Sequence, residues 1–218
     1  MDTPDFTKKF ISFREIEANR YSCLVIALTD ARLITGRNID TGQYELNILT
    51  NGKNFLNPHS FIGIINYLLI LDMMGEIFET PNFKTDKTSN IYKSLEQFSS
   101  LRGRDNDIDT IIALRNSLAH NYGLINIPKN QKDYSTKLHK FTIDNSENAE
   151  LIKYPSPNTV WNCDFLDKSE YSSTKIGYRK VIDLIESVYG YIKNGFEDGS
   201  VILSLKDEEL KARFTIRY

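Results

Sequence analysis

The residues best suited to chemistry lie in one short segment, Arg115-Asn116-Ser117-Leu118-Ala119-His120-Asn121-Tyr122. An arginine is a permanently charged, forked ligand for phosphate. A histidine can both take and give a proton near neutral pH. Together they suit cleavage of a phosphodiester that carries its own nucleophile, which in RNA is the 2′-hydroxyl. This chemistry requires no metal, and we assign no metal and no cofactor to the chain.

Helical spacing is expected to bring the polar side chains of this segment together on one side of a helix. The segment is predicted to lie late on a helix that starts near Asp107, in an acidic stretch that suits a helix N-terminus. In a helix, Asn116 and His120 share a face because they are four residues apart. Arg115 and Tyr122 are seven apart and share the adjacent stripe. The four side chains are therefore expected to lie close together near the helix C-terminus.

The segment also allows a purely structural interpretation. Arg115 would then pair with a carboxylate, and His120 would form a hydrogen bond at the helix end. An arginine followed at this spacing by a histidine is a short pattern that arises easily by chance. The additional presence of Asn116 and Tyr122 favours the functional interpretation.

The spacing of these residues resembles the signature of the HEPN superfamily, in which an arginine is followed after several residues by a histidine. Tyr122 matches the R-x4-H-x-Y form found in HEPN toxins paired with minimal nucleotidyltransferases. The resemblance implies a ribonuclease in which His120 acts in proton transfer and Arg115 holds the phosphate. It further implies that Asn116 orients His120 or binds the phosphate, and that two copies pack with their motifs facing one cleft.

We therefore expect a metal-independent endoribonuclease that acts on RNA as a homodimer, in the setting of a toxin or a defence effector. A nucleotidyltransferase antitoxin that modifies Tyr122 is the partner that the resemblance implies. The alternative is a non-catalytic HEPN module that binds a nucleotide, a nucleic acid or a protein. The two differ in geometry, because catalysis needs an exposed His120 beside Arg115, whereas burial of both inside one subunit favours binding.

Three further residues are candidates for the same site. Asp72 lies within an apolar run, where an unpaired buried carboxylate would cost on the order of several kcal/mol. We expect Arg115 to be its partner and place Asp72 in the catalytic set, although a narrow solvated helix face would also accommodate it. Arg102 and Arg104 precede the motif helix and could supply local positive charge for RNA, or they could lie in a solvated loop.

The rest of the pattern predicts a single, mainly helical domain over residues 1–218, a HEPN-like bundle with an antiparallel β insertion between the fourth and fifth helices. The predicted helices are Thr7–Thr35, Asn57–Glu79, Ser89–Leu101, one that starts near Asp107 and stops before Gly123, and Thr174–Asn194. The insertion is predicted at about 134–168, with strands at Leu138–Ile143, Glu150–Tyr154 and Thr159–Phe165. A short strand is predicted at Tyr44–Leu49, and a β tail at about 200–218, with strands at Val201–Leu205 and Ala212–Tyr218.

Composition limits the class of protein. With 40% hydrophobic and 26% charged residues, the chain resembles an ordinary globular domain. A net charge of −2 argues against a surface committed throughout to nucleic acid, but it allows a local basic site. The most apolar run, Phe61–Phe78, contains polar residues and predicts a buried helix, not a membrane span. The N-terminus has no apolar signal region. Cys23 and Cys163 are expected to be reduced thiols, and we expect a cytoplasmic location.

Overall fold

The computed structural model describes residues 3–12, 16–17, 19–45, 60–121, 123–130, 132 and 134–217. About half of the chain is helical, and small sheets accompany the helices, so the fold mixes α and β structure. The helices are α1 (Thr3–Phe10), α2 (Cys23–Ile34), α3 (Phe61–Ile77), α4 (Asn90–Phe98), α5 (Asp105–Asn121), α6 (Tyr134–Lys137), α7 (Tyr178–Asp198) and α8 (Asp207–Phe214). The strands are β1 (Arg20–Ser22), β2 (Phe78–Glu79), β3 (Ile125–Asn126), β4 (His139–Asp144), β5 (Ile152–Lys153), β6 (Thr174–Gly177), β7 (Ile202–Leu203) and β8 (Thr215–Arg217).

Helix α3 is the centre of the core and packs against α2, α4, α5 and α7. Its side chains are apolar on most sides, as expected of a helix that other helices surround. Tyr67, Leu71 and Met74 are fully buried. Ser60 caps the helix by accepting the Gly63 N–H at 3.1 Å. The predicted start at Asn57 lies outside the described residues. No helix in the described part of the chain is long and apolar enough to span a bilayer.

The single helix predicted at Thr7–Thr35 is wrong, because the chain forms two helices with a strand between them. Asn19 has a left-handed φ of 57°, which a continuing helix does not tolerate. Strand β1 then pairs antiparallel with β8 near the other end of the chain. Ser22 starts α2 by accepting the Val25 N–H. The apolar side chains at helical spacing thus serve two separate elements.

Helices α3 and α4 approach each other very closely. Gly75 makes this contact possible, because a Cβ built there would lie 1.8 Å from the carbonyl oxygen of Asn90. Ser89 caps α4 by accepting the Tyr92 N–H at 3.3 Å. The third predicted helix is therefore confirmed, although it ends earlier than expected, at Phe98.

The β insertion departs from its prediction in two respects. Strand β4 is confirmed, but the strand predicted at Thr159–Phe165 is wrong: a 3-10 turn at Pro157–Thr159 precedes an irregular segment. There, Trp161 Nε1 donates to the Asp164 carbonyl and Asn162 Oδ1 accepts the Asp164 N–H, so local bonds replace a ladder.

The sheet that forms is mixed, not antiparallel, with the order β3-β4-β6-β5. Two of its strands were not predicted: β3, and β6, whose residues were predicted as the first turn of the fifth helix. Strand β6 runs parallel to β4, with Phe141 opposite Thr174, and antiparallel to β5. The β-branched side chains of Thr174 and Ile176 are both buried, which favours a strand at this position.

The C-terminal part also corrects the prediction. Helix α7 does not end at Gly195, which is buried inside it, but at Gly199, whose φ of 80° suits a left-handed cap. Strand β7 is confirmed within Val201–Leu205. Helix α8 was missed, and it occupies the first part of the strand predicted at Ala212–Tyr218. The strand predicted at Tyr44–Leu49 is described only at its start, because residues 46–49 lie outside the described residues. There, Tyr44 forms an isolated β-bridge with Arg37.

Candidate functional site

The candidate site lies where α3 and α5 pack together. Asp72 on α3 and Arg115 on α5 form an ion pair, in which Arg115 Nη2 donates to Asp72 Oδ2 at 2.9 Å. The Arg115 side chain is 21% exposed and that of Asp72 is 29% exposed, so the pair lies at the edge of the core and not within it. The carboxylate in the apolar helix thus has the partner that the sequence led us to expect.

His120 meets Arg115 on the solvent side of this pair. Arg115 Nη1 lies 2.7 Å from His120 Nε2. A guanidinium can only donate, so Nε2 must be the acceptor. The His120 side chain is exposed, so its ring is accessible to a molecule in solution.

Asn116 contributes a weaker contact to the same cluster. Its Oδ1 accepts from Arg115 Nη1 at 3.3 Å, so the bond that the structure records is with Arg115 and not with His120. Arg115 Nε is buried and has no hydrogen-bond partner among the described residues. Arg115 is therefore the residue that joins the two predicted stripes, because its long side chain reaches from one to the other.

Buried leucines fix the orientation of the motif helix. Leu114 and Leu118 are fully buried, which turns the intervening Arg115 and Asn116 toward the edge of the core. At the end of α5, the Gly123 N–H donates to the Ser117 carbonyl at 3.1 Å, so the chain folds back over the last turn. Tyr122, the predicted site of modification, lies outside the described residues.

The two arginines upstream of the motif are not part of this cluster. Arg104 is 60% exposed and pairs with Asp107 in the first turn of α5. Arg102 is exposed in the preceding turn. A helix rises about 1.5 Å per residue, which places Arg104 roughly 24 Å from His120 along the axis. Closeness in sequence therefore did not bring these charges to the site.

A second polar cluster, which sequence reasoning did not assign to a site, joins α5 to the β insertion. The Tyr154 hydroxyl donates to Asp107 Oδ1 at 2.8 Å and lies 2.9 Å from Thr110 Oγ1. Burial raises the pKa of the Tyr154 phenol, and the Asp107 carboxylate raises it further. These contacts join residues 44 and 47 positions apart, so no local signal in the sequence could have revealed them.

His139 belongs to this second cluster. Its Nε2 donates to the Thr136 carbonyl and its Nδ1 accepts from Thr174 Oγ1, both at 2.9 Å. Burial lowers the pKa of His139. Within the described ranges, no three His, Cys, Asp or Glu side chains gather as a metal site would require.

We compared the chain with known proteins in three ways. No family model matches it, and neither the curated proteins nor the solved structures gave a significant match.

Proposed function

We propose that the protein is a HEPN-type endoribonuclease that cleaves RNA without a metal. The observation that carries the proposal is the 2.7 Å contact between Arg115 Nη1 and an exposed His120, with Asp72 bonded to the other nitrogen of the same guanidinium. A phosphate ligand and a proton-transfer group are thus adjacent and accessible. This geometry supports the catalytic interpretation over a buried, structural use of the motif.

In the proposed reaction, the RNA 2′-hydroxyl oxygen forms a bond to phosphorus and the bond from phosphorus to the 5′-oxygen breaks. His120 Nε2, the ring nitrogen that contacts Arg115, takes the proton of the 2′-hydroxyl. Arg115 stabilises the negative charge that develops on the phosphate oxygens. A second proton must reach the departing 5′-oxygen, and the products are a cyclic 2′,3′-phosphate and a 5′-hydroxyl.

A homodimer would supply that second proton. Each chain offers one His120, so two copies that face one cleft would provide a base and an acid. The proposed biological setting is a toxin or a defence effector, held in check by a nucleotidyltransferase that modifies Tyr122. Mass spectrometry after coexpression with such an enzyme would detect the added nucleotide.

The test is cleavage of a labelled single-stranded RNA by the wild-type protein and by two variants, His120→Ala and His120→Gln. Glutamine can still accept a hydrogen bond from Arg115, but it cannot transfer a proton. Both variants should lose roughly 10²–10⁴-fold in rate, which is the typical contribution of general acid–base catalysis. DNA of the same sequence should remain intact because it lacks the 2′-hydroxyl.

A His120→Ala protein that degrades RNA as fast as the wild type would refute the proposal. If the wild-type protein binds RNA or a nucleotide but cleaves neither, the non-catalytic HEPN module becomes the better interpretation. Thermal unfolding of each variant serves as the control for folding. Since His120 is exposed, neither substitution should alter the melting temperature appreciably.

A further inference from the structure

A cavity of about 360 Å³ lies between the N-terminal half of α5 and the β insertion. Asn106 and Thr110 line it from α5, His139 from β4 and Thr174 from β6, while Tyr154 and Trp161 line it from the loop between β5 and β6. A volume in this range is typical of sites that hold small organic molecules. Helix α5 therefore borders two candidate sites, with the cavity near its beginning and His120 near its end.

The groups that line the cavity suit a planar molecule with polar edges. Tyr154, which is 44% exposed, offers aromatic surface, and Trp161, only 3% exposed, forms part of the wall. The ring of His139, which also lines the cavity, is stacked on Phe141. The side chains that line the cavity in the described part of the chain include no Asp or Glu. The ammonium group of Lys140 is already bonded to the Asp167 and Ser169 carbonyls. The lining thus provides ring surface and neutral polar groups, with little free charge.

Two polar side chains of the lining are free to bond a ligand. Neither the amide of Asn106 nor the hydroxyl of Thr136 has a hydrogen-bond partner among the described residues, although both line the cavity. In contrast, Thr110, His139 and Thr174 are already bonded to protein groups. An asparagine amide presents a donor and an acceptor side by side, which matches the edge of a nucleobase.

We propose that this cavity binds a nucleobase. Stacking on aromatic side chains and an amide contact to the base edge are the general means by which proteins hold single bases. If the proposed ribonuclease function holds, the base belongs to the RNA substrate; the binding proposal itself does not depend on that function. Thr110 lies roughly 15 Å from His120 along the helix axis, several times the rise of about 3.4 Å per stacked nucleotide. The bound base would then flank the scissile phosphate at a distance and not adjoin it.

Binding can be followed directly, because Trp161 is the single tryptophan of the chain and lines the cavity. The His120→Ala protein is titrated with each of the four ribonucleosides and with a short single-stranded RNA, with tryptophan fluorescence as the readout and calorimetry as a second measurement. We expect saturable binding. If the nucleosides and the RNA bind with similar affinity for each base, the natural ligand is a free small molecule. If the RNA binds much more tightly, the bound base is part of an RNA strand.

Matched variants locate the binding. Asn106→Ala should weaken binding about tenfold, and Thr136→Val should weaken it as well. Asn145→Ala and Thr142→Val make the same chemical changes at positions that do not line the cavity, so they should leave the affinity within about twofold. Because Asn106 and Thr136 have no partner among the described residues, neither change removes a known bond of the folded chain.

The proposal is overturned if calorimetry detects no binding of any nucleoside or RNA. It is equally overturned if ribose 5-phosphate, which has no base, binds as tightly, or if Asn106→Ala and Asn145→Ala bind alike. None of these results depends on cleavage, since the titrated protein lacks His120. The binding measurements therefore test this proposal independently of the cleavage measurements that test the ribonuclease proposal.

Discussion

Replacing Gly75 by alanine should destabilise the protein, although alanine favours helices. A Cβ at this position would lie 1.8 Å from the Asn90 carbonyl oxygen and 3.1 Å from the Ser94 nitrogen. Both atoms belong to the backbone of α4, so neither can rotate away, and the two helices must separate. Overpacking of this kind costs typically about 1–3 kcal/mol. The helix preference of alanine over glycine offsets about 1 kcal/mol. Taking the upper end of the cost, we expect a net loss of about 2 kcal/mol in the free energy of unfolding.

The matched control is Gly190→Ala on α7. Apart from the backbone of its own helix and its chain neighbours, no atom of the described residues lies within 4 Å of a Cβ built there, so only the helix preference changes. This variant should gain about 0.5–1 kcal/mol. Urea unfolding, monitored by circular dichroism, gives the free energy of unfolding of both variants. In thermal unfolding, Gly75→Ala should melt roughly 4–8 °C lower than the wild type, as expected for a chain of this size. If Gly75→Ala is as stable as the wild type, the close approach of α3 and α4 is wrong.

Two further predictions concern buried polar groups. Arg32, only 2% exposed, donates to both carboxylate oxygens of Glu186, at 2.9 and 2.6 Å. Glu186→Ala should cost about 3–5 kcal/mol in urea unfolding because it removes the carboxylate that faces this buried guanidinium, and Arg32→Met in the same chain should recover part of that loss; a cost below 1 kcal/mol would contradict the ion pair. Burial lowers the pKa of His139 below its ordinary 6.5, so the unfolded chain binds more protons than the folded chain between these two pKa values. The melting temperature should therefore fall as the pH drops below about 6.5, and fall less in His139→Asn, whereas an equal fall in both proteins would exclude a contribution from His139.

The parts of the fold that could be predicted from the sequence are those that local chemistry decides. The apolar run of α3 and the serine before α4 act within a few residues of the structure they specify. The β strand at Thr174–Gly177 could not be predicted in this way. It pairs with β4 on one side and with β5 on the other, and neither partner is adjacent to it in the sequence.

The residues of the two candidate sites also differ in how far the sequence could predict their contacts. Arg115, Asn116 and His120 are neighbours in one helix, so their clustering follows from helical spacing. Asp72 could be included only because a carboxylate in an apolar helix requires a partner. The contacts of Asn106, Thr110 and the β insertion have no such local requirement. They depend on how distant segments pack, which the sequence pattern does not reveal.

The arrangement around Arg115 gives its two terminal nitrogens different roles in the proposed reaction. Nη2 is bonded to Asp72, and this bond holds the guanidinium in place. Nη1 is shared between His120 Nε2 at 2.7 Å and Asn116 Oδ1 at 3.3 Å. An incoming phosphate would compete for Nη1, since its oxygens are stronger acceptors than a neutral imidazole or an amide. Displacing His120 from Nη1 would free the Nε2 lone pair just as the 2′-hydroxyl arrives. Substrate binding would thereby activate the base, while Asp72 keeps the arginine in position.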